Sequence, residues 1–453
     1  RLVPSMETVT RRPLLERLGL HRPELRAWAL YDCANSVFMT TVVLIFPIYF
    51  YDVAAAGKMP SVQAVARFGW ATTASMALVA VLSPFLGAVA DYRAMKKKML
   101  AVAVALGAGA TGAMYFIGSG DWVLALVLVM AGRVGVMASL VFYESLLPHI
   151  ADEKEIDRVS AAGYAVGYLG SGLLMALNLA WIARPDLFGI PSAQMAIRLT
   201  FATSALWWLG FSIPLFLRVP EPPRRLAADE LPDQNVLRAA VTRLRQTLRE
   251  IRSYRQAFLF LVAFLIYNDG IGTIINMATI YGAQLGIERG PLMLSVLAVQ
   301  FVGIPCTFAF GALAGRLGAK RTIYITLAVY LGVSVLAYSM TTAAEFFFLC
   351  LGVGTVQGGA QALSRSLFAT MIPRHKSSEF FAFFSVFEKF AGIFGPALFA
   401  GMTMATGSSR HAILSLIVFF IVGGVILAFV DVEEGRRAAR AAEARVGLRE
   451  ASA

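Results

Sequence analysis

Twelve stretches of this chain are long and apolar enough to cross a bilayer, and the charges buried in them fall on a subset. A hydrocarbon core of roughly 30 Å needs about 20 apolar residues per helix. The spans are predicted near 27–51, 65–90, 98–117, 122–147, 159–183, 197–217, 257–284, 291–315, 321–340, 345–371, 379–405 and 411–430. Arg133, Asp269, Arg365, Glu388 and Lys389 lie inside such spans, whereas the third, sixth, ninth and twelfth carry almost nothing ionisable in their interiors. A charge at the bilayer centre costs roughly 2.5–3.5 kcal/mol on insertion scales, so such residues face a bundle interior or a wet cavity. Polarity on chosen helices marks a path through a bundle.

Composition agrees with a membrane-embedded chain. Of 453 residues 58% are hydrophobic and only 15% are charged, where a soluble domain is about a quarter charged. Arg1–Ser5 read as the scar of an expression tag, with the natural sequence starting at Met6. The polar, basic stretch that follows has no apolar core of the kind a cleavable signal needs. Cys33, Cys306 and Cys350 lie in apolar segments without paired spacing, and His21, His149, His375 and His411 sit at segment ends. Neither set suggests a metal site, and no cofactor is expected.

The net charge of +12 is distributed in a way that argues against nucleic acid as the partner. Basic residues crowd Arg11–Arg26, Arg93–Lys98, Arg218–Arg255, Arg316–Arg321, Arg374–Lys376 and Arg436–Arg449, which are alternate connections plus both ends. The positive-inside rule places those loops and both termini in the cytoplasm, facing anionic lipid headgroups. Between spans six and seven, Val219–Pro223 is Pro-rich. After it, Val236–Ser253 spaces Val236, Val241, Leu244, Leu248 and Ile251 as one apolar face, an amphipathic helix on the leaflet.

The chain repeats itself. "GAVADYRAMKKK" from Gly87 matches "GALAGRLGAKR" from Gly311, and Pro148 in "SLLPH" matches Pro373 in "IPRHK". "YD" at Tyr31–Asp32 resembles "YND" at Tyr267–Asp269. Two six-helix repeats with a substrate site between them is a transporter plan. The expected domains are 27–217 and 257–431, with a terminal segment 1–26, a linker 218–256 and a tail 432–453.

The "G-x-x-x-D-x-R" loop between spans two and three resembles the signature of the major facilitator superfamily; in its second copy Gly315 replaces the acid. More specific are "WALYDCANSVF" (Trp28–Phe38), "AAGYAVGYLGSGLL" (Ala161–Leu174), "YNDGIGTI" (Tyr267–Ile274), "GGAQALSRSLFATMIP" (Gly358–Pro373) and "EFFAFFSVFEKFAGIFGP" (Glu379–Pro396). Together they resemble the autophagy-related vacuolar effluxer branch in its bacterial form, from about Trp28 to Gly401. Departures are Cys33, where the branch usually has Trp, and Glu144, where many relatives carry Asn. The resemblance implies an all-α fold of twelve transmembrane helices in two pseudo-symmetric bundles, with helices 1, 4, 7 and 10 lining a central cavity. It implies a conformational latch at Gly87, Asp91 and Arg93, where the acid meets the N-terminus of a neighbouring helix. Fungal members are linked to amino-acid efflux from the vacuole.

The polar residues themselves define the candidate site. On helix 1, Asp32 and Asn35 share a face, and Asp32 either pairs with a basic loop or has a gating or proton role. Arg133 on helix 4 lies near mid-membrane with a fork of donors suited to carboxylate or phosphate, against the plainer reading of a permanent ion pair. Tyr143 and Glu144, shallower on the same helix, fit a gate. On helix 7, Asp269, Thr273 and Asn276 follow i, i+4, i+7 spacing, so Asp269 is a coupling carboxylate or half of a structural pair with a cation such as Arg133. Gln357, Gln361 and Arg365 form one face of helix 10, with Gln300 on helix 8 at similar depth. Arg365 and Glu388 match in depth and are expected to pair, a pair able to open and close with the transport cycle in a gating or proton-coupling role; Lys389 points elsewhere and would snorkel.

Nothing here makes an enzyme, since no nucleophile, base or phosphate-loop constellation occurs in a suitable context. A channel would show rings of charge or carbonyl filters. The expected function is a monomeric secondary active transporter in a bacterial inner membrane. It moves a small polar or zwitterionic solute, amino acids among the candidates, by proton-coupled efflux. The alternative is a lysophospholipid or other amphiphile carrier of the same fold, with Phe380, Phe381, Phe383, Phe384, Phe387 and Phe390 of helix 11 lining an apolar slot.

Overall fold

The computed structural model describes residues 13–224, 241–242, 254–390 and 394–450. All secondary structure among them is helical. The first span starts at α1 (Pro23–Val37), with proline in its first turn, where a missing N–H costs nothing. It continues through π-turns at Phe38–Val42 and Phe50–Ala54 that flank Pro47, which cannot donate to the helical ladder. Then follow α2 (Ser61–Arg93), α3 (Lys96–Ala113), α4 (Trp122–Ile150), α5 (Ile156–Ala183) and α6 (Ala193–Arg218). The second set is α7 (Arg255–Gln284), α8 (Arg289–Leu317), α9 (Ala319–Ser339), α10 (Ala343–Thr370), α11 (Ser377–Phe390), α12 (Phe394–Thr406) and α13 (Ser409–Ala428). A final helix, α14 (Val432–Glu450), follows.

Eleven helices among the described residues are long and apolar enough to cross a membrane, and the chain is an integral membrane protein. This is one fewer than the sequence reading. The difference lies in the eleventh stretch, divided between α11 and α12 with residues 391–393 outside the described set. The predicted amphipathic helix 236–253 falls outside it except for Val241 and Thr242, as do Arg1–Ser5. The tail is not a loose end: its first nineteen residues are the helix α14.

Packing repeats between the two sets. α1 packs on α5 and α6, α3 on α4 and α6, and α2 on α4. In the same pattern α7 packs on α11 and α13, α9 on α10 and α13, and α8 on α10. α3 and α4 approach closely where Gly107 and Gly135 meet backbone to backbone, since a Cβ at Gly135 would stand 2.3 Å from Gly107 Cα. Across the seam between sets, α2 and α4 meet α11, and α5 meets α8 and α10.

By alternation of the spans, the 93–96 turn, the segments 151–155 and 371–376, and α14 all lie at one end of the molecule. We call it the basic face. Most of the hydrogen bonds joining the two sets among the described residues lie toward this face, while Tyr168 and Gln357 meet deeper in the seam.

Candidate substrate and coupling site

The best-formed polar cluster is centred on Arg365 of α10, 1% exposed. Its two terminal nitrogens donate to Asp32 Oδ2 on α1 at 3.2 and 3.1 Å. Its Nε donates to Ser160 Oγ (3.0 Å) and a terminal nitrogen to Ser160 O (2.9 Å), while Ser160 Oγ donates to Ala362 O (2.7 Å). Glu144 Oε1 of α4 stands 4.0 Å from the same guanidinium. Asp32 and Glu144 are 4% and 5% exposed, so one cation from the second set faces two acids of the first inside the protein. Such charges are tolerated only when paired and hydrogen-bonded.

Aromatic rings wall this cluster. The guanidinium lies 4.8 Å from the Trp28 ring, 4.4 Å from Tyr164 and 5.6 Å from Tyr143, within cation–π range. Trp28 stacks on Tyr143 at 4.5 Å and donates from Nε1 to Tyr143 O. Gly163 is required here. A Cβ at that position would stand 2.5 Å from Asp32 Oδ2 and 2.9 Å from the guanidinium. Two expectations are therefore corrected. Arg365 is engaged by Asp32 and Ser160 across the seam, not by Glu388, because matched depth does not fix the direction in which a helix presents a side chain. Asp32 takes its partner from a span rather than from a basic loop.

Asp269 is placed differently again. It is 1% exposed, and its Oδ2 accepts from the backbone N–H of Gly395 at 2.9 Å, so it stands at the start of α12. Thr273 Oγ1 folds back onto Asp269 O (2.7 Å), and a side chain at Gly395 would overlap that hydroxyl. Of the two readings of Asp269, the pair with a cation such as Arg133 is not made among the described residues; the Gly395 amide stands there instead, and Oδ1 has no donor among them. Asn276, the third member of the stripe, is exposed.

Arg133 is half-buried, its Nε buried without a hydrogen-bond partner, and it has no ion pair among the described residues. It lies eleven residues before Glu144 on nearly the same face of α4. Asn35 is buried with Nδ2 unpaired, Gln361 Nε2 donates to Asn268 Oδ1 at 2.6 Å, and Gln357 is half-buried. Gln300 is buried near Gly172 of α5. Glu388 is half-buried, and the side chain of Lys389 lies outside what is described. The phenylalanines of α11 mostly turn inward: Phe384 stacks on Phe264 at 4.5 Å, and Phe368 meets Phe381 at 5.5 Å and Phe384 at 5.2 Å. Core packing accounts for most of the run.

At the basic face, Asp91 Oδ2 accepts from Glu379 N at the first turn of α11 (3.1 Å), and Asp91 Oδ1 pairs with Lys96. The Lys96 ammonium also donates to Ser377 Oγ (2.8 Å) and Ser378 Oγ (2.9 Å). Ser377 and Ser378 bond the end of α4 through Ser145, and His149 Nε2 lies 3.2 Å from Ser377 Oγ. Gly87 allows α2 this close, since a Cβ would stand 2.6 Å from Ser378 O. Arg93 is exposed. Glu221, just past α6, accepts from the N–H groups of Lys96 (2.7 Å) and Lys97 (2.9 Å). Burial pushes its carboxyl above the usual carboxylate range, against those amides, which favour the charged form.

Lys96, Ser160 and Gly163 are members of the network that sequence reasoning did not single out. Lys96 sits in a run of three lysines that reads as solvated charge. Gly163 lies inside a quoted motif, and small residues repeated along one span are the signal that could have found it.

Residues 21–440 match the vacuole effluxer Atg22-like family. The chain belongs to that family. An uncharacterized MFS-type transporter of Bacillus subtilis (strain 168), YxiO, is 38% identical to this Atg22-like protein over 409 residues, covering 90% of this chain and 94% of its own. Autophagy-related protein 22 of Yarrowia lipolytica is 27% identical over 311 residues; the chain spans about half of that relative, 51%, with 62% of its own length. Among solved structures, the MFS proton:xylose symporter XylE superposes with a TM-score of 0.68 at 15% identity, over 93% of this chain and 98% of its own. FucP in the outward conformation gives 0.61 at 13% identity, over 90% and 100%. The Atg22-like protein is a major facilitator transporter, not an enzyme.

Proposed function

We propose that this protein is a secondary active transporter working by alternating access, in which protons move a small polar or zwitterionic solute. The observation that carries the reading is the buried Asp32–Arg365 pair, made between the first and second sets of helices. Its two acids, Asp32 and Glu144, ride on one set and its cation on the other. A proton delivered to this pair of acids weakens the negative charge that holds Arg365, favouring parting of the sets at the basic face. Loss of that proton restores the attraction and closes the face again. Proton binding and opening thereby become one linked equilibrium.

In this reading the chain has twelve spans in two six-helix bundles, 27–217 and 257–431, joined by the linker 218–256. The repeated packing supports it, as does a span eleven divided between α11 and α12. The basic face is cytoplasmic, in a bacterial inner membrane, and the state described is closed on that side. The solute lies above the ion pair, among Arg133, Asn35, Asp269, Thr273, Asn276, Gln300, Gln357 and Gln361. Arg133, with no anion beside it among the described residues, takes a carboxylate, and the amides take the remaining polar groups. Efflux of amino acids fits this set, and the Asp91–α11 contact fits the latch role of Gly87, Asp91 and Arg93.

The test is thermal unfolding of the purified chain with amino acids, short peptides, nucleosides, sugars and lysophospholipids, beside Arg133→Gln. A ligand that binds only the folded state adds about 2.7 kcal/mol at a hundredfold excess over its dissociation constant. The expected result is a raised midpoint with a zwitterion, lost in the variant. Shifts from lysophospholipids alone would overturn the solute reading.

A further inference from the structure

The C-terminal helix touches both sets of spans. On one side it is held by the second set. The N–H of Asp431 donates to Gln256 Oε1 at 2.9 Å, and Gln256 Nε2 donates to Glu434 Oε2 at 2.5 Å, tying the start of α14 to the start of α7. Gly435 lies against Met371, where a Cβ would stand 2.9 Å from Cγ, and Ala439 is buried. Farther along, Glu443 Oε1 accepts from Arg374 N at 2.9 Å. That residue opens the turn leading into α11, the helix whose first residues hold Asp91 and Lys96.

Toward the first set, the hydrogen-bonded ion pair among the described residues is Arg440–Glu153, with Arg436 close enough to Asp157 to act on its charge. The Arg440 guanidinium forks onto Glu153, with Nε 3.1 Å from Oε1 and Nη2 on Oε2. Glu153 lies in the short segment between α4 and α5, so this bond crosses the seam. Beneath it a cavity of about 40 Å³ is lined by Pro148 and Ile156 from one set and by Thr370 and Arg374 from the other. The pair is solvent-exposed, at 58% and 39% of the side chains, whereas the other bonds across the seam are buried or partly so.

We propose that α14 is a strap that holds the basic face shut, anchored on the second set and fastened to the first by Arg440–Glu153. Its anchored side combines three part-buried side-chain hydrogen bonds with the buried Gly435 and Ala439, several contacts that move together with the second set. Its fastening is an exposed ion pair, which salt screens and which any competing anion can take. The strap therefore makes closure of this face sensitive to ionic conditions at the surface, independently of what occupies the central site. The proposal rests on the alternating-access reading.

The experiment is a spin-label distance measurement across the basic face of the full chain. Labels are carried at the exposed positions Lys98→Cys and Arg321→Cys, one at the start of α3 and one at the start of α9, with Cys33→Ala, Cys306→Ala and Cys350→Ala. Arg440→Glu, Glu153→Arg, the swapped double variant and a chain ending at Asp431 are compared with the parent. We expect both single variants and the shortened chain to gain a longer-distance population. The swapped double should return to the parent distribution. High salt should lengthen the parent and leave Arg440→Glu unchanged. Unaltered distances in the single variants would overturn the strap, as would a shift that the swapped double fails to reverse. Asp32→Asn separates this from the wider reading. If it opens the face while Arg440→Glu does not, only the strap fails; if no variant opens the face, alternating access fails too. Melting midpoints, and Arg440→Gln in place of a variant that does not fold, guard against misreading.

Discussion

Both terminal nitrogens of Arg365 converge on a single oxygen of Asp32, at 3.1 and 3.2 Å, across the seam between α10 and α1. Removing one partner of a buried pair is worth about 3–5 kcal/mol, because the other charge is left stranded. Asp32→Asn and Arg365→Gln are each expected to lower the melting midpoint, and the double variant should lose less than the sum of the two. A double-mutant cycle by chemical or thermal unfolding checks this. Strictly additive losses would remove the pair from the mechanism.

Gly87→Ala tests the closed state without touching a charge. The added methyl group would stand 2.6 Å from Ser378 O, a backbone atom that cannot swing aside. The seam must part by a few tenths of an ångström or more. The variant is expected to expose the basic face, measured as faster alkylation of a cysteine placed at Ser378. Labelling at the parent rate would mean that the backbone yields locally.

Asp269 holds the first turn of α12, and the loss of a helix cap is worth about 0.5–2 kcal/mol, a roughly twofold to thirtyfold change in local opening. Asp269→Ala should speed hydrogen exchange of peptides beginning at Phe394 by that amount. Asp269→Asn keeps an acceptor oxygen and should fall between the two. Equal exchange in all three chains would show that the bond to Gly395 does not hold the helix end.

Gly135→Ala and Gly109→Ala form a matched pair. The first puts a methyl group into the backbone of Gly107, and the second meets nothing within 4 Å. Overpacking typically costs about 1–3 kcal/mol. The first variant should melt well below the parent, and the second at or above it. A similar midpoint for both would mean that α3 and α4 can separate without loss.

The sequence carried the membrane class, the positions of eleven spans and the acid of the Gly87–Arg93 loop, because apolar length and loop charge act over windows of many residues. It carried less of the partners. Arg365 and Glu388 agree in depth, but Arg365 turns toward α1 and α5, a direction set by which helices pack on α10. Asp269 found backbone amides of α12 rather than Arg133, and no side-chain pattern advertises an N–H in another span. Lys96 reads as one lysine of three facing solvent, yet it is buried between Asp91 and two serines. The tail looked like a run of basic residues; its docking depends on small buried residues such as Ala439 and on Gly435, whose size matters only once Met371 is beside it.

The ion pairs Asp32–Arg365 and Arg440–Glu153, which join the two sets, lie toward one end of the molecule. Opening that end means breaking charged contacts, whereas Tyr168 and Gln357, deeper in the seam, meet as neutral groups. The mouth at the basic face therefore answers to electrolyte, acidity and the charge of the surrounding leaflet.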